Sequence, residues 1–256
     1  MTHLDPEAWS RLDSIKGWLS PAAADFTCRL LNTTPFRDTQ GSLVEIGVFK
    51  GKYLALIAYA TRGQHRRIVG IDGFFAGYQK PLDEKWIEVA RAEMVANICK
   101  ESPEQAVEIV QANSEDLSPR SFKSIVKEQC AFMSIDGGHD AHEVYNDFRI
   151  SCGNLADGGV IAADDVFNAV VPGVAEGFFR FLTSTEGRRL APFAACGNKL
   201  FLCTTDFHAQ YVAAARGFLE GAQDGYLLRS KAHVENNARI GFVPRMFGFE
   251  VVPFLA

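Results

Sequence analysis

The stretch that decides the fold is SLVEIGVFKGKYL, residues 42–54. Its first seven residues are mainly β-branched or apolar, and they predict a buried strand over residues 42–48. The chain then passes through a turn that contains Gly47 and Gly51 into the run KGKYLALIAYATR, which predicts a helix. A strand, a glycine turn and a helix in series are typical of a parallel sheet with crossover helices. This stretch therefore predicts an α/β fold.

The alternation of strands and helices continues outward from this unit. Apolar runs predict four further strands, each ending at a polar or glycine turn: RIVGID (67–72), AVEIVQA (106–112), CAFMSID (130–136) and GVIAAD (159–164). Two more runs, 190–196 and 199–204, are separated only by Gly197 and Asn198, which predicts a tight hairpin. We therefore expect a Rossmann-like, mainly parallel sheet of seven strands that ends in an antiparallel hairpin.

A helical segment is expected before the sheet. Ser20 and Pro21 are a favourable cap and first-turn pair for a helix that begins at residue 21. No internal repeat and no Pro-, Gly- or Ser-rich linker interrupts the chain. We therefore expect one domain over residues 1–256, with a helical cap (1–40), a sheet core (41–205) and a C-terminal helix with a tail (206–256).

The composition of the chain argues against nucleic acid and membranes as binding partners. The chain carries 26 Lys and Arg against 31 Asp and Glu, a formal net charge of -5, which provides no general attraction to nucleic acid or anionic lipid. No apolar run reaches the ~18 residues of a membrane-spanning helix, and the N-terminus lacks a secretory signal pattern. The six cysteines are scattered and form no C-x-x-C pair. We expect a cytoplasmic protein with no nucleic-acid or membrane partner. Apolar residues in both terminal segments are compatible with a homo-oligomer.

Polar residues collect where the predicted strands end. They are Glu45 and Gly47, Asp72 and Gly73, Asn113 and Ser114, Asp136 with Gly137, Gly138 and His139, and Asp164 with Asp165. The carboxyl ends of parallel strands meet at one edge of the sheet, where open α/β folds bind their ligands. Because an acid is costly to bury without a partner, this set of carboxylates indicates a ligand or ion at that edge.

The first turn argues against a dinucleotide. GVFKGKYL lacks the G-x-G-x-x-G pattern because Phe49 takes the place of the second glycine, and a pyrophosphate fits poorly over this side chain. Asp72, one helix and one strand later, stands where an acidic residue accepts both hydroxyls of a ribose. These positions predict a ligand that contains a ribose but is not the dinucleotide NAD.

With these residues in place, the chain resembles the class I S-adenosylmethionine-dependent methyltransferases over about residues 42–204. In that family the first strand ends in an acidic-x-Gly motif, here VEIGVFKG, and the second strand ends in the ribose acid. The third strand ends near the adenine, here around Asn113 and Ser114. The resemblance implies a cofactor site formed by Glu45, Gly47, Val48, Phe49, Gly51, Tyr53, Asp72, Gly73, Asn113, Ser114 and Asp136.

Four phrases refine the resemblance: EIGVFKGKYL, SIDGGHDAHEVYNDFR, GGVIAADDV and PGVAEGF. They look most like the bacterial small-molecule O-methyltransferases related to macrocin O-methyltransferase. Cephalosporin-hydroxylase-like proteins are more distant relatives of that group. This resemblance implies methyl transfer to a hydroxyl of a small-molecule acceptor such as a sugar or secondary metabolite. The N-terminal cap, residues 73–85 and the C-terminal tail would then face the acceptor.

The same resemblance implies a metal. In the macrocin-like enzymes, aspartates at the ends of the fourth and fifth strands bind a divalent ion, and the corresponding residues here are Asp136, Asp164 and Asp165. Oxygen ligands of this kind suit Mg²⁺. The chain departs from the pattern at Gly138, where the macrocin-type phrase has an acidic residue.

The candidate general base is His139, which follows the Asp-Gly-Gly turn at the mouth of the expected cleft. An imidazole has an ordinary pKa near 6.5, which suits proton abstraction at neutral pH. Asp136 is the second candidate for this role, and His142 is a less favoured third.

Two other functions remain open at this point. A nicotinamide-dependent oxidoreductase uses a similar sheet, but the missing glycine pattern and the terminal hairpin argue against it. A non-catalytic protein that binds the same cofactor would need no acidic set at Asp136, Asp164 and Asp165.

Overall fold

A computed structural model describes residues 3–76, 80–222 and 225–255. The strands of the main sheet are β1 (Ser42–Ile46), β2 (Ile68–Asp72), β3 (Val107–Gln111), β4 (Cys130–Ile135), β5 (Leu155–Ala163), β6 (Leu190–Cys196), β7 (Lys199–Thr204) and β8 (Val252–Phe254). The helices are α1 (Pro6–Asp13), α2 (Pro21–Leu30), α3 (Thr34–Asp38), α4 (Lys52–Ala60), α5 (Glu84–Cys99), α6 (Pro119–Val126), α7 (Ala141–Cys152), α8 (Pro172–Leu182), α9 (His208–Glu220) and α10 (Gly225–Arg239). Two short hairpins pair Phe75–Ala76 with Lys80–Pro81, and Arg245–Met246 with Phe249–Glu250.

The sheet has the order β8-β6-β7-β5-β4-β1-β2-β3. Strands β1 to β5 are mutually parallel, and β7 runs antiparallel to both of its neighbours. The predicted α/β fold is therefore confirmed, as is the hairpin, in which Gly197 has the left-handed φ of +59° that its turn requires.

The number of strands and the nature of the edge differ from the prediction. An eighth strand, β8, pairs parallel with β6, so the antiparallel hairpin is not the edge of the sheet. This short strand, VPF, carries no periodic signal of its own, and it forms because it satisfies the backbone groups along the open side of β6.

The C-terminal tail is also placed differently from the prediction. The Arg245–Glu250 hairpin precedes β8 and contacts the first residue of α9, since His208 Nε2 lies 2.9 Å from the carbonyl oxygen of Glu250. Because β8 is parallel to β6, this hairpin lies at the amino ends of the strands. It is therefore at the sheet edge opposite the predicted acceptor side.

Helices cover both faces of the sheet. One apolar cluster joins α1, α2, α4, α5 and α9 to one face, and the other joins α6, α7 and α8 to the second face. Alternation along β1 directs Leu43 to the first cluster and Val44 with Ile46 to the second. Glu45 consequently points toward the same side as Leu43, beneath α4 and α2.

The N-terminal helices are fastened to the first crossover helix. Ser20 Oγ accepts a hydrogen bond from the Ala23 amide and caps α2, as the sequence predicts. Lys52 in the first turn of α4 donates to Asp13 Oδ1 at 2.9 Å and to the Gly17 carbonyl at 3.1 Å. The segment before α2 is thus held at the carboxyl edge of the sheet. None of the described helices has the length and apolar character needed to cross a membrane.

Candidate active site

The loop after β1 contacts the loop after β4 directly. Gly47 has a φ of +84°, and a Cβ atom placed on it would lie 1.9 Å from the Asp136 carbonyl oxygen. Gly51, with a φ of +80°, is the N-cap residue that precedes α4. Glycine is needed at position 47 both for its backbone conformation and for this close approach.

Asp72, at the end of β2, accepts hydrogen bonds from three backbone amides. Its Oδ2 accepts hydrogen bonds from the amides of Val48 and Phe49, both at 2.9 Å, and its Oδ1 accepts from the Phe74 amide at 2.7 Å. Phe49 and Phe74 have left-handed φ values of +52° and +53°, which are uncommon for bulky residues and occur frequently at functional sites. The predicted ribose acid therefore also holds the first loop in shape.

The end of β3 forms a short turn that is bound to α7. Asn113 Oδ1 accepts from the Glu115 amide at 3.3 Å, and Ser114 is buried in the turn. Asn146 Nδ2 donates to the carbonyl oxygens of Ser114 at 2.7 Å and Leu117 at 3.0 Å. Asn113 and Ser114 thus lie at the same edge as Asp72, as the sequence predicts.

Glu45 and Tyr53 lie beneath the site instead of on its surface. Glu45 is only 2% exposed, and burial raises the pKa of its carboxyl group to about 8, although the nearby Lys199 opposes the rise. Tyr53 Oη lies 3.0 Å from Thr27 Oγ1 in α2, and its ring lies 4.1 Å from Lys199 Nζ. The family resemblance implies that both side chains belong to the cofactor site. In the structure both are buried below the carboxyl edge of the sheet.

Asp136 and Asp164 form an acidic pair at the ends of β4 and β5. Burial and the neighbouring Asp164 carboxylate raise the pKa of Asp136 well above its ordinary value, and Lys199 partly offsets this. Lys199 Nζ lies 3.0 Å from Asp164 Oδ2. Burial lowers the pKa of the Lys199 ammonium, but Asp164, Tyr53 and Asp136 together outweigh this effect and the net shift is upward.

His139 and Asp165 complete the edge. His139 Nε2 lies 3.9 Å from Asp165 Oδ2, and Asp165 Oδ1 accepts a hydrogen bond from Asn168 Nδ2 at 3.1 Å. Single potential ligand atoms of Asp136, His139 and Asp165 lie within 4.8 Å of one another. Carboxylate oxygens with one imidazole nitrogen are a suitable donor set for a divalent cation.

His142, the less favoured base, faces away from this group. Its Nε2 lies 2.9 Å from Glu115 Oε1, and both side chains are largely exposed. The structure therefore separates the two histidines that the sequence places three residues apart.

Sequence reasoning missed Asn198 and Lys199. Asn198 Nδ2 donates to Asp164 Oδ1, and it lies 3.3 Å from Asp165 Oδ1. The sequence does contain a signal for Lys199, because a lysine at the start of an otherwise apolar strand is unusual and indicates a buried partner. This lysine directly follows the predicted hairpin turn.

A further acidic side chain, Asp147, is enclosed beneath the Asp136–His139 turn. A Cβ atom placed on Gly137 would lie 2.7 Å from Asp147 Oδ2, and Asp147 is fully buried on α7. The Ser114 hydroxyl offsets the effect of burial slightly, yet neither carboxylate oxygen has a hydrogen-bond partner among the described residues. Burial, with Glu143 and Glu115 adding to it, raises the pKa of Asp147 to about 7.

We expect Asp147 to make the protein less stable as pH rises. The folded state holds this proton up to about pH 7, whereas the unfolded chain releases it near pH 3.9. Stability should therefore be greatest below the unfolded pKa and should fall by roughly 3–5 kcal/mol as pH rises through the folded pKa. Urea titrations of wild type and Asp147→Asn between pH 4 and pH 8 measure this. The variant should show a shallower pH dependence than wild type, with the contributions of Glu45 and Asp136 remaining, and exposed Asp38→Asn should retain the wild-type slope. An equal slope in Asp147→Asn would contradict this assignment.

The fold and the residues along its edge are those expected of a class I methyltransferase, the class that uses S-adenosylmethionine. Residues 44–166 match a family model described as a methyltransferase domain. No curated protein matches the chain.

Several solved structures share this fold. The apo structure of CalS11, a TDP-rhamnose 3'-O-methyltransferase of calicheamicin biosynthesis, is 19% identical with a TM-score of 0.50, covering 78% of this chain and 81% of its own. The Podospora anserina methyltransferase PaMTH1 with bound SAH is 16% identical with a TM-score of 0.54, covering 80% and 90%. MycE of mycinamycin biosynthesis, with Mg, SAH and mycinamycin VI, is 17% identical with a TM-score of 0.52, covering 77% of this chain and 53% of its own. At these identities, the similarity shows a shared fold.

Proposed function

We propose that the protein transfers the methyl group of S-adenosylmethionine to a hydroxyl group of a small molecule, a sugar or another secondary metabolite. The observation that carries this proposal is the pair of His139 and Asp165, 3.9 Å apart, at the sheet edge where Asp136 and the Asp72 loop also lie. This edge offers a base beside a nucleoside-binding loop.

The first task of these residues is to orient the cofactor. Asp72 has the position and charge to bind the ribose hydroxyls, and the loop of Gly47 to Gly51 brings backbone amides close to the same place. Ser114 and Asn113 border the adenine end. Holding the donor in line with the acceptor oxygen provides much of the acceleration for a displacement reaction.

The second task is to remove the hydroxyl proton. The acceptor oxygen forms a bond to the methyl carbon as the carbon–sulfur bond breaks, and the sulfur retains that electron pair. His139 takes the proton, and the Asp165 carboxylate stabilises the imidazolium that results. Asp136 is the alternative acceptor of the proton.

A divalent cation such as Mg²⁺ fits this edge, because the ligand atoms of Asp136, His139 and Asp165 lie close enough together to share one ion. When bound, the ion would lower the pKa of the acceptor hydroxyl and orient it. MycE has been solved in complex with Mg and SAH, which supports this part of the proposal.

The acceptor is expected beside the N-terminal cap. Trp18 is 84% exposed and stacks on Phe49 with ring centroids 5.7 Å apart, so an aromatic surface borders the cofactor loop. Such a surface suits the apolar face of a ring-bearing acceptor. Residues 77–79, part of the predicted acceptor segment, lie outside the described residues.

Cytoplasmic location and self-association remain predictions from the sequence.

Calorimetric titration tests the cofactor part of the proposal. S-adenosylmethionine and S-adenosylhomocysteine should bind to the purified protein and NAD should not. Asp72→Asn should weaken binding by more than about tenfold, because hydrogen bonds from a ribose to a charged carboxylate contribute roughly 1.5–3 kcal/mol. The control is Asp157→Asn, whose side chain is 87% exposed at the start of β5. Binding of NAD alone, or unchanged affinity in a folded Asp72→Asn variant, would exclude this cofactor site.

A further inference from the structure

Asp164 differs from Asp136 and Asp165, the other two residues of the implied metal set, because donors among the described residues occupy both of its carboxylate oxygens. Lys199 Nζ lies 3.0 Å from Oδ2, while Oδ1 accepts from the Asp165 amide at 3.1 Å and from Asn198 Nδ2. The side chains of Asp164 and Lys199 are only 5% and 1% exposed. A metal ion would have to displace a buried ammonium to reach Oδ2.

The hairpin places this ammonium. Strands β5 and β7 are antiparallel with Ala163 opposite Leu200, so Asp164 is the residue that faces Lys199 across the ladder. The Tyr53 ring, 4.1 Å from Lys199 Nζ, closes the other side, and Tyr53 is itself in contact with Thr27. The lysine side chain is therefore enclosed and cannot exchange Asp164 for water without rearranging α2 and α4.

The Lys199–Asp164 ion pair lies among other buried acidic groups, and Lys199 offsets part of their negative charge. Glu45, Asp136 and Asp164 approach one another, as their mutual electrostatic effects show, and Lys199 opposes the upward pKa shifts of both Glu45 and Asp136. A buried charge that loses its partner is strongly destabilising, so Asp164 needs Lys199 whether or not a metal is present.

We propose that Lys199 is the internal counter-ion of Asp164 and that this pairing keeps Asp164 out of metal coordination. A divalent ion at this edge is then held through Asp136 and Asp165, with His139 adjacent. Lys199 acts as a positioning residue because it acts through Asp164. This inference rests on the metal part of the proposed function, and it changes the ligand set that the family resemblance implies.

Binding of Mn²⁺, followed by electron paramagnetic resonance on the full chain without cofactor or acceptor, tests the ligand set. Asp136→Asn and Asp165→Asn should each weaken Mn²⁺ binding by at least about thirtyfold because each replaces a charged ligand oxygen with a neutral amide oxygen. The double variant Asp164→Asn/Lys199→Met removes the ion pair without leaving an unpaired ammonium beside the site, and it should weaken Mn²⁺ binding by less than about fivefold. A loss in this double variant as large as in the two single variants would overturn the proposal.

The lysine variant tests the counter-ion role from the opposite direction. Lys199→Met releases Asp164, and Mn²⁺ binding should become tighter by about tenfold, whereas a lysine with a merely structural role would weaken binding when removed. Adding Asp164→Asn to Lys199→Met should cancel the gain. Weaker Mn²⁺ binding in a folded Lys199→Met variant would overturn the proposal; if that variant does not fold, the comparison of the double variant with Asp136→Asn and Asp165→Asn decides.

The outcome is separable from that of the proposed function. If the wild type binds no Mn²⁺ at millimolar concentration, the inference about the ligand set is wrong, while calorimetry with S-adenosylmethionine still tests the cofactor site independently. If Mn²⁺ binds as expected and S-adenosylmethionine does not, the cofactor assignment fails and the role of Lys199 stands.

Discussion

Replacing His139 with alanine is expected to lower kcat by about 10²–10⁴ while leaving the affinity for S-adenosylmethionine unchanged. The imidazole lies beside Asp165 at the candidate acceptor side, whereas the predicted ribose contact is made by Asp72, on a different loop. Loss of the base should therefore affect proton removal and not cofactor binding. Calorimetry measures the affinity, and release of S-adenosylhomocysteine with an identified acceptor measures the rate.

The pH profile and a second histidine make this test specific. The acidic limb of the wild-type profile should disappear in His139→Ala, because that limb reports the protonation of the base. His142→Ala is the matched control, since this side chain contacts Glu115 on the outer surface. Near-wild-type turnover in His139→Ala would transfer the role to Asp136 or to a hydroxyl activated by the metal.

The second large effect is expected at Gly47, where alanine should destabilise the fold by more than about 3 kcal/mol. The added methyl group would lie 1.9 Å from the Asp136 carbonyl oxygen, and the residue would need a φ of +84°. Both penalties act on the backbone between β1 and β4, which cannot yield as a flexible side chain does. Thermal and urea unfolding measure the loss.

Gly217 provides the matched control. It lies inside α9, and a Cβ atom placed on it would meet nothing within 4 Å. Gly217→Ala should therefore be neutral or stabilising by up to ~1 kcal/mol, because alanine favours a helix over glycine. A Gly47→Ala variant as stable as wild type would show that the loops after β1 and β4 are further apart than described.

The residues at the strand ends were predictable because they depend on local pattern. Alternating apolar runs and turns predict β1 to β7, and parallel strands necessarily collect Asp72, Asp136 and Asp165 at one edge. The hairpin at Gly197 was equally local, since a tight turn needs only two residues of suitable conformation.

What each of these residues contacts was decided by the tertiary structure. The eighth strand forms only because β6 leaves one side open, and no pattern within VPF indicates it. Gly47 meets the backbone of another strand, although the sequence suggested only a close approach to a ligand. Asp164 was predicted with its neighbours as one acidic set, yet the antiparallel ladder brings Lys199 against it from a distant part of the chain. Sequence pattern determines which strand ends carry charge, because that information is local. Which charge is neutralised depends on register between strands that are far apart in sequence, and only the folded chain specifies that register.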